Sequence, residues 1–185
     1  MCKQFVTMLR LIRLTALVLI AAAAAIWAFA ALTSREESVL ARFYELVFGS
    51  PDLGPIDFET FARGSRPNTA LACPPGFCRN AMADFDPGVY PVPDEELRRR
   101  VTAAALAEPR TIPVYRHASP GLPTQDRYIQ SSERMSFPDT VDVRFIALSD
   151  TTSTLAIYSR SQIGYRDFGV NLMRIRRWTE AARRP

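Results

Sequence analysis

The 185-residue chain carries 23 Lys and Arg against 19 Asp and Glu, an excess that by itself would suit a nucleic-acid binder. Its placement removes that reading: Lys3, Arg10 and Arg13 precede an apolar run, which leaves 20 cations against 19 anions over residues 33–185, five of the cations (Arg174, Arg176, Arg177, Arg183 and Arg184) crowded at the C-terminus. With no broad basic face there is no footprint for a phosphate backbone, so nucleic acid is excluded as a partner, and the many aliphatic and aromatic residues exclude disorder for most of the chain.

In chain order, residues 1–13 form a leader with three cations and no acidic residue, and residues 14–32 form a 19-residue run in which Thr15 is the only polar side chain. As a helix this run would extend roughly 28 Å, close to the hydrocarbon thickness of a bilayer. Cations before it place the N-terminus in the cytoplasm. The expectation is a single-pass inner-membrane anchor with the remainder periplasmic. A cleavable signal peptide competes, because Ala28-Phe29-Ala30 has the small-x-small form of a cleavage site, but the run exceeds the roughly 7–15 residues of a signal core.

Residues 33–49 predict a juxtamembrane amphipathic helix: Ser34 to Glu37 has the capping-box form, and Val39, Phe43, Leu46 and Val47 recur at helical spacing up to Gly49. It either lies on the outer membrane surface or packs on the domain. Eight of the 14 prolines fall in residues 50–93, where no period survives. This segment is expected to be irregular and wrapped over the domain, because proline removes the amide hydrogen that ladders need.

From residue 94 the pattern becomes regular. Asp94, Glu95 and Glu96 open a helix with Leu97, Val101 and Ala104 on one face, which Pro109 stops. Thr111 to Arg116 reads as an edge strand because of Pro113, and Arg127 to Met135 as a further strand. Val141, Val143 and Phe145 alternate with Asp142 and Arg144, Ser149 to Ser153 turns, and Thr154 to Arg160 runs back. A last helix from Asp167 is expected to bury Phe168, Leu172, Ile175 and Trp178, its trailing arginines complementing the helix end. The predicted class is α+β: a small antiparallel sheet of three to four strands with helices on one face over 94–185, preceded by one transmembrane helix.

Two features carry possible chemistry. Cys73 and Cys78 flank Pro-Pro-Gly, a turn that favours pairing in an oxidising compartment; free thiols are the alternative. The other is the stretch Ser159, Arg160, Ser161, Gly164, Arg166, Asp167, Gly169 and Asn171, which leaves a strand and enters a helix. Loop amides at a helix start and two guanidiniums suit a carboxylate or phosphate; equally, Asp167 caps the helix and an arginine pairs with it.

The same stretch resembles the signature of domain-of-unknown-function family 1499, in which Ser-Arg-Ser leads into Gly-x-x-Asp-x-Gly-Val-Asn. Pro67 to Cys73 and Phe137 to Asp142 are similar to that family's other motifs, so the resemblance covers about residues 66–180. Relatives commonly place basic residues after the Asn, where this chain has Leu172 and Met173, which removes a cationic turn there. The resemblance implies a bacterial-envelope or plastid-type membranous setting and no established reaction.

Other catalytic arrangements are missing. His117 is the only histidine, so no zinc ligand set exists and no metal or cofactor is expected. His117 with Ser119 and Asp126 does not make a triad by sequence proximity. Asp84 and Asp86 flank a proline-rich turn, where Asx turns are their ordinary use. The sequence therefore points to a non-catalytic envelope module that binds a partner protein or small anionic ligand near the membrane. The alternatives are a hydrolase using Asp167 or Asp84 with Arg160 as a clamp, or a protein that braces an assembly.

Overall fold

The computed structural model describes residues 2–32, 39–114, 125–133 and 135–184. Two units form within it, residues 1–44 and residues 45–185. The first contains α1 (Cys2–Leu32), an uninterrupted helix of 31 residues, and the start of α2 (Val39–Phe48). In α1 the side chains of residues 12–27 are all exposed, Leu14 to Trp27 among them. Among the residues whose side chains are described, no helix is long and apolar enough to cross a membrane; residues 28–32 of the expected span lie outside that set, as does the expected cap at Ser34 to Glu37.

The second unit is built on five antiparallel strands in the order β1-β5-β4-β3-β2: β1 (Thr69–Ala72), β2 (Thr111–Val114), β3 (Gln125–Ser131), β4 (Pro138–Ala147) and β5 (Ser153–Ser161). Alternation made β4 legible and the turn residues after it made β5 legible as its partner; the turn at Ser149 to Thr152 joins them with Phe145 opposite Leu155. Pro113 sits in β2 at one edge, where a missing amide hydrogen costs no ladder bond. The sheet has five strands rather than three to four. The one left out of the sequence reading is β1, four residues buried in the proline-rich segment and too short to display a period.

Two helices cover one face. α3 (Asp94–Ala107) follows Pro93 and places three acidic residues in its first turn; Leu97, Val101 and Ala105, rather than Ala104, make its buried stripe. α4 (Val170–Ala181) buries Ile175 and Trp178. With Val141, Val143, Leu155 and Ile157 from the sheet they form the main core, in which the Tyr128 and Trp178 rings meet edge to face at 5.5 Å. Phe168 corrects the expectation: it precedes the helix, has φ +54° and is 90% exposed. Leu172 is half-buried against the core.

The opposite face of the sheet is covered by the proline-rich segment itself. Phe58, Ile56, Phe61 and Phe77 pack on Leu71, Ala156 and Tyr158, so β5 is buried on both faces. An irregular cover must satisfy its backbone without ladders, and side chains of the sheet do this. Thr140 Oγ1 donates to Pro51 O and accepts from Leu53 N, Arg160 donates to Gly54 O, and Gln125 donates to Ile56 O. The Gln162 amide donates to the carbonyls of Phe48, Gly49 and Ser50. Cys73 and Cys78 form a disulfide, with Cα atoms 6.3 Å apart, that closes the turn at the end of β1.

Candidate functional site

The signature stretch divides along the sheet, because successive residues of β5 point to opposite faces. On the helix side, Ser159, Ser161 and Asn171 join a buried polar cluster around Arg174. Arg174 Nη2 donates to Asp139 Oδ2 at 2.7 Å, Nη1 donates to Asn171 Oδ1 at 2.6 Å and to Ser159 Oγ at 2.9 Å, and Nε donates to Gln130. Asn171 Nδ2 in turn donates to Asn68 O and Ser161 Oγ, and Asn68 Nδ2 to Gly164 O. Asn68, Asp139, Ser159, Asn171 and Arg174 are all buried. Arg174 therefore serves as an interior charge facing Asp139 and does not complement the helix end, a role that an arginine count at the C-terminus could not reveal. A signal did exist: Arg174 stands four residues before Trp178, at the spacing of the buried stripe.

Asp167 takes the capping role. Its Oδ1 accepts from Gly169 N at 3.1 Å and its Oδ2 from Asn171 N at 2.8 Å, which gives acceptors to the amide at the N-cap and to one orphan amide of the first turn of α4. Gly169 has φ +82°, a left-handed conformation that glycine takes without steric cost. Arg166 is exposed, and no ion pair of Arg166 occurs among the described residues.

Arg160 lies on the opposite face, under the proline-rich cover. Its Nη2 donates to Gly54 O at 2.5 Å and to Asp142 Oδ2 at 3.1 Å. Beside it Arg127 holds Asp52, with Nη2 to Oδ2 at 2.7 Å; its Nε is 2.6 Å from Oδ1 but off the hydrogen-bond line. Asp142 is fully buried and only one of its oxygens is hydrogen-bonded. Burial pushes its pKa up to about 7, against the pull of Arg160 and Arg127 and with the aid of Asp52. Asp52 goes the other way: burial opposes it, but hydrogen bonds from Arg127 and Gly54 N hold it below the ordinary carboxylate value. In the adjoining cleft of Phe58, Phe77 and Arg144, burial lowers the Arg144 pKa against Glu59 and Asp57.

Asp84 is not an Asx turn. It accepts from Leu71 N at 2.8 Å and pairs with Arg63 at 2.9 Å, stitching the cover to β1. Asp86 does make the local turn, accepting from Gly88 N. Asp126 pairs with Arg98 in the interior, and His117 and Ser119 lie outside the described residues. Among the described residues, no group of three or more His, Cys, Asp or Glu is placed to hold a metal ion.

The stretch from Asn68 to Ala181 thus contains β1, the sheet, both covering helices and the Asn68–Asn171 cluster. Residues 68–181 match the model of a family described as a protein of unknown function, DUF1499. The chain belongs to the DUF1499 family. Its match begins at the buried Asn68 and ends with α4, so the DUF1499 segment includes all five strands but not Pro51 to Gly54, which cover β3 to β5. Comparison with curated proteins and with solved structures gave no match.

Proposed function

We propose that this DUF1499 protein is held in a bilayer by α1, with residues 45–185 on the periplasmic side as a non-catalytic module that binds a partner protein or small anionic ligand near the membrane. The observation that carries the reading is the fate of the signature's polar groups. Ser159, Asn171 and Arg174 bond to one another in the interior, Asp167 caps α4, and Arg160 holds the cover. A catalyst needs such groups presented to a reacting atom; here they are spent on architecture, leaving Arg166 as the exposed cation of the stretch. For the hydrolase alternative, Asp84 and Asp167 both accept backbone amides, and the carboxylate clamped by Arg160 is Asp142, beneath the cover.

Support for the anchor is the continuity of α1 across the apolar run and the exposure of its described side chains. The test is a pair of full-length fusions after Pro185. An alkaline phosphatase fusion is expected to be active and a green fluorescent protein fusion dark; a bright cytoplasmic fluorescent fusion with inactive phosphatase would remove the topology. In membranes from the same cells, Arg166→Ala is expected to weaken capture of an anionic ligand at unchanged thermal stability; undiminished capture would remove Arg166 from the site.

A further inference from the structure

Among the exposed apolar side chains of the second unit, several fall in two segments, the end of α2 and the loop before α4. Leu46 is 85% exposed and Phe48 half-exposed at the end of α2, and Tyr165 and Phe168 stand out from the loop before α4, with Val170 and Met173 following on the helix. The Gln162 amide, bonded to the carbonyls of Phe48, Gly49 and Ser50 at 2.7 to 3.3 Å, ties this loop to the end of α2. Two segments whose bonded residues are 114 positions apart in sequence therefore adjoin here.

Phe168 is held in an unfavourable way. A non-glycine residue with φ +54° pays a steric penalty, and here the strained residue is an aromatic side chain 90% exposed to solvent. The exposed ring buries no apolar surface for the fold, and strained backbone of this kind clusters at functional sites. Charge is sorted across the same loop: the Asp167 carboxylate is turned to backbone amides, while Arg166 is exposed without an ion pair among the described residues. Exposed aromatics beside a cation suit the interfacial zone of an anionic bilayer.

Chain length supplies the reach. Leu46 follows the end of α1 at Leu32 by 14 residues, and the six residues between the two helices span at most roughly 20 Å when extended. We infer that Tyr165, Phe168 and Arg166, together with Leu46 and Phe48, dock on the anionic lipid surface in which α1 is anchored. This inference rests on the anchoring proposed above. Docking would hold the domain against the bilayer, as an amphipathic segment lies in the interface with its apolar face buried.

The experiment uses the full chain reconstituted in phosphatidylcholine vesicles with and without phosphatidylglycerol. A fluorescent amino acid replaces Phe168 in one preparation and Leu148, in the β4–β5 turn, in another, leaving the disulfide intact. The expected result is a blue shift at position 168 and quenching by a lipid-borne quencher several-fold greater than at position 148, both reduced when phosphatidylglycerol is omitted. With the probe at Tyr165, Phe168→Asp is expected to abolish the quenching without lowering thermal stability. If the chain resists alkaline extraction while position 168 stays as aqueous as position 148, docking is overturned and the anchor stands. If alkali releases the chain, both fall. If position 168 is shielded in native membranes but not in vesicles, the surface belongs to a protein partner and the lipid inference is wrong.

Discussion

Asp142 shows how one side chain changes meaning between sequence and structure. Its alternation with Val141 and Val143 marks an outward residue, yet the proline-rich cover makes that outer face an interior. With a folded pKa of about 7, above the roughly 3.9 of an unfolded aspartate, the folded chain keeps a proton between those values that the unfolded chain has lost. This contribution to stability is fully present below about pH 4 and is lost as the pH rises through about 7. Asp142→Asn is expected to flatten that fall, read as the difference between variant and wild-type unfolding free energies from denaturant titrations at pH 4 to pH 8, on the order of a few kcal/mol. Equal slopes in both proteins would mean that Asp142 is not the titrating group. Arg174 sets the opposite case, a charge whose partners are complete. Arg174→Met leaves Asp139 buried without its cation, so a loss of about 3–5 kcal/mol is expected in urea unfolding, partly recovered by adding Asp139→Asn.

At the scale of elements, the proline-rich segment acts as a second layer on the sheet. It has few ladder bonds of its own, and its order comes from borrowed partners: Thr140, Gln125, Arg160 and Gln162 from the sheet side, and Arg63 with Asp84 within it. The Cys73–Cys78 disulfide closes a turn of sequence separation five. So short a loop removes little entropy from the unfolded chain, and Cys73→Ala with Cys78→Ala is expected to cost about 2 kcal/mol or less. Hydrogen exchange is expected to quicken over residues 74–85 and to stay unchanged in β4. Faster exchange in β4 would show that the disulfide supports the whole sheet, since β4 reaches the cover only through side chains.

Over the whole molecule, much of the second unit was legible from sequence. The β4–β5 hairpin, α3 between Pro93 and Pro109, and the edge position of β2 follow from a two-residue period in β4 with turn residues after it, acidic residues at a helix start, and a proline without an amide hydrogen. The signature from Ser159 to Asn171 was equally visible, and so was the family to which residues 68–181 belong. The sequence could not show that neighbours in that signature serve opposite faces. Ser159 meets Arg174 through α4, whereas Arg160 meets Gly54 through the cover, and both contacts join residues far apart in the chain or brought together by a helix packing. Nor could a helical pattern show that Phe168, just before α4, takes a left-handed backbone and leaves the core.

Local rules therefore determined that α3, the β4–β5 hairpin and the edge strand β2 form, because periodicity, capping and proline act over a few residues. The tertiary structure alone decided which polar groups are interior, what covers the second face of the sheet, and which aromatics stay exposed, because burial depends on what packs above a residue.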